Sequence, residues 1–186
     1  HLDTESMVAE QYREHADYNT GSVPSATAVA LLILGAEMKP DVTFEVGTFI
    51  GNTTRALAII SKQVYTCDGS TAIPLHLPNV RQYSKTMSTA ALELVKAEGK
   101  LIDLLVLDGR LQPADLPLVK ILLQREAIIA LDDCYQLEKG MVNVYLLQGR
   151  FYLPPPRGEP FAAFGVPGGT TLGLMVPGTM LGILQA

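Results

Sequence analysis

The sequence predicts a single α/β domain built on a doubly wound, mostly parallel β-sheet. Apolar runs of strand length recur at 42–46, 102–109 and 127–131, and segments with helical periodicity separate them. The chain has 186 residues, of which 48% are hydrophobic and 18% charged, which is enough apolar material for one ordinary core. We expect the last strand, at 171–176, to run antiparallel to the others.

Local signals place the elements in chain order. The predicted strands span residues 42–46, 63–68, 80–85, 102–109, 127–131, 151–153 and 171–176. The predicted helices span residues 4–16, 26–34, 88–98, 113–125 and 138–148, and one more begins at Asn52. Residues 1–24 are interpreted as an N-terminal helical segment and residues 25–186 as the main domain. Ser25 is the expected cap of the helix that follows it.

Helical periodicity predicts which side chains face the sheet. They are Val29, Leu32, Ile33, Leu57, Ile59, Ile60, Ala91, Leu94, Val95, Leu116, Val119, Leu122 and Leu123. The segment 69–79 contains two prolines and a glycine and is expected to form no long helix. It departs from a usual doubly wound sheet, which has a crossover helix at this position.

Composition and charge restrict the function classes. The formal net charge is −5 and no run of Lys or Arg occurs, so we expect no nucleic-acid partner. The apolar run at 28–36 is shorter than the roughly 20 residues of a membrane span. Acidic residues near the N-terminus argue against a signal peptide, and we expect a cytoplasmic protein. Cys67 and Cys134 are expected to be free, buried thiols.

The stretch 42–58 joins a strand, a glycine turn and a helix. Its strand is β-branched and aromatic, Gly47 and Gly51 bracket a tight turn, and a helical pattern begins at Asn52. This arrangement directs backbone N–H groups and a helix N-terminus toward a ligand. The G-x-x-x-G spacing differs from the G-x-G-x-x-G of a dinucleotide site, which disfavours a nicotinamide dehydrogenase. The alternative is a purely structural glycine pair.

Acidic residues end three further predicted strands. Asp68 comes 21 residues after Gly47, near the offset of about 20 at which a carboxylate meets a ribose diol. Asp108 ends the fourth strand, and Asp132 and Asp133 follow the fifth. Because the carboxyl ends of parallel strands meet at one edge, we expect these acids to converge there. Their hard oxygens suit Mg²⁺, although each acid can also cap a turn or helix.

The glycine stretch resembles the first motif of the class I S-adenosylmethionine-dependent methyltransferases, which have a Rossmann-like fold. That motif has an acidic residue, a glycine and, four positions on, a second glycine, which Glu45, Gly47 and Gly51 match. The resemblance implies that the turn packs along S-adenosylmethionine and that Glu45 helps to hold its amino group. The cofactor contacts that it implies are Glu45, Gly47, Thr48, Phe49, Gly51, Thr53, Asp68, Ser88 and Asp108.

The strand-end acids resemble those of cation-dependent O-methyltransferases of the catechol and antibiotic-tailoring types. In those families one Asp after the fourth strand and an acidic pair after the fifth bind the metal, as Asp108, Asp132 and Asp133 would here. The resemblance implies a Mg²⁺ site and gives Asp108 a catalytic role. The lysine or histidine base of those families has no counterpart, because Arg110 and Leu111 follow the Asp-Gly phrase.

The expected function is therefore methyl transfer from S-adenosylmethionine to a hydroxyl of a small molecule, with Mg²⁺ assistance. A non-catalytic cofactor-binding or regulatory protein of the same fold is the alternative, favoured by the missing base and by the unusual 69–79 segment. The apolar stretch 179–184 is a candidate contact between two copies of the chain, so a homo-oligomer is a further expectation.

Overall fold

The structure is a computed structural model that describes residues 23–135, 139–166 and 168–180. The predicted helix at 4–16 lies outside these residues, as do most of the segment 1–24 and of the stretch 179–184. The helices are α1 (Ser25–Met38), α2 (Asn52–Ile60), α3 (Ser88–Ala97), α4 (Asp115–Leu122) and α5 (Lys139–Leu146). The strands are β1 (Val42–Val46), β2 (Gln63–Asp68), β3 (Val80–Ser84), β4 (Ile102–Leu107), β5 (Leu123–Leu131), β6 (Phe151–Leu153) and β7 (Gly173–Val176).

These seven strands form one sheet in the order β3-β2-β1-β4-β5-β7-β6. Strands β1 to β5 pair in parallel, and β7 runs antiparallel to both β5 and β6. The predicted mostly parallel sheet with an antiparallel last strand is confirmed. The strand order reverses its direction between β1 and β4, and the crevice at such a point is where open α/β sheets bind ligands.

Two apolar clusters cover the two faces of the sheet. Phe44 of β1 and Ile129 of β5 pack with α3 and α4 on one face. Leu104 of β4 packs with Leu31 of α1 and Leu57 of α2 on the other. All five residues are buried, and burying a large aliphatic side chain stabilises a fold by about 1.5–3 kcal/mol. The two layers hold the strand ends in fixed positions, as a doubly wound domain requires.

Some predicted inward positions are wrong. Ile33, Ile59 and Leu94 are 49%, 76% and 46% exposed, while Leu31 and Leu92 are fully buried. Helix α1 is apolar on nearly every side, so its periodicity does not identify the face that meets the sheet. In α3, Ala91 and Val95 are buried as predicted, but Leu92 is buried in place of Leu94. The predicted positions that are buried are Leu57, Ala91, Val95, Val119 and Leu122.

Several element boundaries also differ. The predicted helix at 113–125 spans Asp115–Leu122, and β5 begins at Leu123 rather than at residue 127. The residues 123–126 favour helices, but Leu123 pairs with Ile102 of β4, and tertiary pairing overrides local propensity. Helix α1 starts at Ser25 itself and extends beyond 34, and Pro24 takes the cap position. Strands β3 and β7 are shorter than predicted.

Other expectations hold. The segment 69–79 contains no helix, so β2 and β3 are joined in parallel without a helical crossover. Cys67 and Cys134 are free and buried. In the described part of the chain, no helix is both long enough and apolar enough to cross a lipid bilayer.

Candidate functional site

The loops after β1, β2, β4 and β5 meet at one edge of the sheet. Three backbone hydrogen bonds continue the strand pairing into these loops. They join Gly47 N to Cys67 O (2.9 Å), Asp108 N to Val46 O (3.0 Å) and Asp132 N to Leu107 O (3.0 Å). The predicted convergence of the glycine turn and the strand-end acids therefore follows directly from the parallel register.

The glycine turn depends on the absence of side chains at its two ends. Gly47 has a φ of +103°, and a Cβ atom there would lie 3.0 Å from the carbonyl carbon and oxygen of Asp108. Gly51 has a φ of +79°, and a Cβ atom there would lie 2.6 Å from Leu75 Cδ2. Phe49, between them, also has a positive φ of 45°. The turn thus brings bare backbone against the loop after β4.

Glu45 is a fully buried carboxyl group beneath this turn. Its Oε2 accepts hydrogen bonds from Thr54 Oγ1 and Thr66 Oγ1, both at 2.5 Å. Thr66 in turn accepts from Thr48 Oγ1 at 2.6 Å. Oε1 has no hydrogen-bond partner among the described residues. Burial raises the pKa of Glu45 to about 7 against the opposing effect of the two threonine hydroxyls. An ammonium group would satisfy the open oxygen and favour its charged form.

We expect Glu45→Gln to stabilise the ligand-free protein at alkaline pH. The pKa of Glu45 rises from 4.5 to about 7 on folding, so between these values the folded state keeps a proton that the unfolded state loses. Stability therefore falls as the pH rises through this window. The glutamine variant should gain stability on the order of 3 kcal/mol at pH 8 and little at pH 4.

Urea unfolding between pH 4 and pH 8 measures this effect. Asp108 and Asp132 also have raised pKa values because of burial, so the difference between variant and wild type isolates Glu45. The exposed Glu93, paired with Lys96, offers a control, because Glu93→Gln should keep the wild-type pH trend. If the stability of Glu45→Gln falls with rising pH as steeply as that of the wild type, Glu45 is not the group responsible.

Asp68 holds the glycine turn through hydrogen bonds. Its Oδ2 accepts from Phe49 N at 2.9 Å, and its Oδ1 accepts from Ser70 N at 2.8 Å and Ser70 Oγ at 2.6 Å. Partial burial opposes ionisation of Asp68, but hydrogen bonds from Ser70, Phe49 and Thr48 outweigh it and lower its pKa. A carboxylate offers about four acceptor positions. A ribose diol at Asp68 would therefore share them with Ser70 or displace its hydroxyl.

The side chains of Ser88 and Thr53, two predicted cofactor contacts, are not exposed at the site: one bonds to another helix and the other is buried. Ser88 begins α3, and its Oγ donates to Asp115 Oδ2 at 2.6 Å, which ties α3 to α4. Thr53 is buried in the first turn of α2. The first N–H groups of a helix lack intrahelical acceptors and remain available to a ligand. Both residues stay predictions as cofactor contacts, with Ser88 acting through its backbone.

Asp108, Asp132 and Asp133 form an acidic cluster, in which one carboxylate oxygen of each residue lies within 4.8 Å of the others. The Asp108 side chain is 9% exposed, and burial raises its pKa to about 8. Burial also raises the pKa of Asp132, whose Oδ1 accepts a hydrogen bond from Thr171 Oγ1. Three hard oxygen donors at this separation fit a Mg²⁺ ion, which prefers one or two protein carboxylates plus water and substrate oxygens.

A lysine that the sequence analysis missed lies at the acidic cluster. Lys139 Nζ forms an ion pair with Asp108 Oδ1 and lies 3.1 Å from Asp133 Oδ2. The lysine base of the catechol type is expected to be missing, but a lysine does lie at this site. The residue comes from α5, which follows β5, and not from the segment after Asp108. In the sequence, the only indication that Lys139 reaches the cluster is its position near the start of the predicted helix 138–148, a few residues after Asp132 and Asp133.

Asn143 is a second missed residue of this edge. It is fully buried on α5, one turn after Lys139. Its Oδ1 accepts from Leu111 N at 3.0 Å, and its Nδ2 donates to Gly109 O at 2.8 Å. Asn143 thereby fixes the loop after Asp108 to the helix that carries the lysine. Because the partners are backbone groups, sequence alone gave no sign of this contact.

Comparison with known proteins addresses the fold. No protein-family model matches the chain, and no curated protein does. A methyltransferase from Geobacter sulfurreducens is 19% identical, with a TM-score of 0.61 over 95% of this chain and 89% of the other. An O-methyltransferase from Bacillus cereus, in complex with S-adenosylhomocysteine, is 15% identical, with a TM-score of 0.64 over 94% and 90%.

The O-methyltransferase TomG from Streptomyces achromogenes is similar to the same extent. This protein, which is involved in tomaymycin synthesis and was solved in complex with S-adenosylmethionine, is 15% identical, with a TM-score of 0.63 over 96% of this chain and 91% of the other. The structural similarity spans nearly the whole of each chain. It therefore includes the seven-stranded sheet of this chain described above. The chain therefore has the same Rossmann-like fold as these three methyltransferases.

Proposed function

We propose that this protein transfers a methyl group from S-adenosylmethionine to a hydroxyl group of a small molecule. The glycine turn carries the proposal, because Gly47 lies against the backbone of Asp108 at the strand-order reversal. A ligand bound along this turn would lie between the buried carboxyl of Glu45 and the acidic cluster. Cofactor and acceptor sites would then adjoin at one sheet edge.

The residues at this edge fit the cofactor. Glu45 offers a buried, unpartnered oxygen to the amino group, and Asp68 would meet the ribose. The other proposed contacts are Gly47, Thr48, Phe49, Gly51, Thr53, Ser88 and Asp108. S-adenosylmethionine supplies a methyl group on a positively charged sulfur. When the hydroxyl oxygen takes this methyl group directly, S-adenosylhomocysteine leaves and the hydroxyl proton is released to water. What the chain contributes is orientation, which makes a bimolecular step effectively unimolecular.

The acidic cluster would face the acceptor. Asp108, at 9% side-chain exposure, would orient the acceptor hydroxyl and stabilise the charge that develops during transfer. Asp132 and Asp133 would complete a Mg²⁺ site with it, and the ion would lower the pKa of the hydroxyl. The Pro- and Gly-rich segment 154–169, which follows β6, would border the acceptor. Tyr135, in the loop after β5, donates to Thr170 O at 3.0 Å just beyond the far end of this segment.

A non-catalytic S-adenosylmethionine-binding protein of the same fold is the second candidate. It is favoured by Ser70, which occupies two of the acceptor positions on Asp68, and by the helix-free connection between β2 and β3. Such a protein would bind the cofactor and methylate nothing.

A product screen tests the proposal. The protein is incubated with S-adenosylmethionine and a panel of catechols, phenols and aliphatic alcohols, with Mg²⁺ or with EDTA, and S-adenosylhomocysteine is measured by mass spectrometry. We expect product only where a suitable hydroxylated acceptor is present. Cofactor binding without product from any acceptor would instead favour the non-catalytic candidate.

A further inference from the structure

The acidic cluster already contains a positive charge from the chain itself. The Lys139 ammonium forms ion pairs with two of the three carboxylates, those of Asp108 and Asp133. The third, Asp132, is held by the hydroxyl of Thr171. The lysine side chain is only 26% exposed, so it is drawn in among the acids rather than extended into solvent.

The ammonium group competes with a metal ion for the same atoms. Mg²⁺ binds oxygens at about 2.0–2.1 Å in a nearly octahedral arrangement. Lys139 contacts Oδ1 of Asp108, and one oxygen of each of the three carboxylates lies within 4.8 Å of the others. Two cations confined to so small a space repel each other strongly. The ammonium group and a divalent ion would therefore compete for these carboxylates.

We propose that Lys139 is the resident cation of this cluster, and that a divalent ion enters only by displacing its ammonium group. A bound metal ion would then regulate the acceptor site and would not be a permanent part of it. This consequence for catalysis rests on the proposed function. With lysine in place, Asp108 and Asp133 remain charge-compensated without any metal.

The fold allows the exchange without a change in the backbone. Asn143 anchors α5 one turn further along through bonds to Gly109 and Leu111. Lys139 itself has a flexible four-carbon stem that can carry its head group toward water while the helix stays in place. Only one side chain has to move, so the two occupants can exchange readily.

Manganese binding tests the competition directly. Mn²⁺ takes the same hard oxygen ligands as Mg²⁺, and free Mn²⁺ can be counted by electron paramagnetic resonance. We expect Lys139→Met to bind Mn²⁺ at least about tenfold more tightly than the wild type. Asp108→Asn should weaken that binding. Equal or weaker binding by Lys139→Met, or no binding by either protein, would overturn the proposal.

Lys62 provides a matched control. It forms an exposed ion pair with Asp41 at 2.7 Å, at the opposite edge of the sheet. Lys62→Met removes a lysine–aspartate pair of the same kind and should leave Mn²⁺ affinity at the wild-type value. A similar gain in Lys62→Met would attribute the effect to net charge alone and would overturn the proposal.

A second measurement uses the wild-type chain, in case Lys139→Met does not fold. In a protein carrying ¹³C-labelled lysine, the ε-methylene signal that is missing from Lys139→Arg identifies Lys139. Added Mg²⁺ should shift this signal, saturating at the concentration at which Mg²⁺ displaces bound Mn²⁺. If Mg²⁺ saturates its site and the Lys139 signal does not move, the proposal is overturned. Neither readout needs S-adenosylmethionine, so a failed product screen leaves this test independent.

Discussion

Replacing Gly47 by alanine should lower affinity for S-adenosylmethionine by roughly 100-fold or more and reduce stability by about 3 kcal/mol. A φ of +103° is strained for any residue with a side chain, and the new Cβ would lie 3.0 Å from backbone atoms of Asp108. Backbone cannot rotate away as a side chain can. The Asp108 N–H also bonds to Val46 O at 3.0 Å, so relief of the clash would separate β1 from β4 where the cofactor is expected.

Gly99 offers the matched control for this variant. It also has a positive φ, +65°, but a Cβ atom there would meet nothing within 4 Å. Gly99→Ala should therefore cost only about 1 kcal/mol of stability and leave cofactor affinity unchanged. Urea unfolding gives the stabilities, and calorimetry gives the affinities. A Gly47→Ala protein that binds S-adenosylmethionine as the wild type does would contradict the placement of the cofactor.

Replacing Asp108 by asparagine should reduce turnover by about 100-fold or more, because small losses of alignment are costly in a reaction that depends on orientation. Asp108 has a side chain that is only 9% exposed and is a partner of Lys139. Asparagine keeps its shape but removes the ionisable carboxyl group that would orient the acceptor. We expect a smaller effect on cofactor affinity, less than about tenfold, since the turn supplies most of the proposed contacts. Turnover is measured with the best acceptor from the screen.

Asp103 lies near the start of β4, the strand that Asp108 follows, and serves as the control. Its Oδ2 accepts a hydrogen bond from Val42 N at 2.9 Å, away from the cluster. Asp103→Asn should keep turnover within about threefold of the wild type. If both variants lose turnover equally, the effect comes from the strand as a whole and not from the acidic cluster.

Sequence patterns were sufficient for the sheet and for most of its acidic edge. Apolar strands such as β4 and β5 are recognisable without tertiary information, and the parallel arrangement then fixes where their terminal acids lie. These patterns alone predict that Gly47 and Asp108 lie close together.

The features that the sequence did not reveal depend on contacts between distant elements. Leu123 is extended because it pairs with Ile102 of β4. The buried face of α1 is set by the neighbours of Leu31, not by its own periodicity. Lys139 reaches the cluster because α5 packs back over the loop after β4, where Asn143 holds it. No local pattern encodes that packing.

The most direct test of the cofactor site is a calorimetric titration with S-adenosylmethionine, with and without Mg²⁺. We expect micromolar binding by the wild type, weakened in Asp68→Ala by about 1 kcal/mol or more, as for a lost charged hydrogen bond. Ser70→Ala, which frees an acceptor position on Asp68, should retain or improve the affinity. No heat of binding by the wild type in either metal condition would contradict the assignment of this edge as an S-adenosylmethionine site.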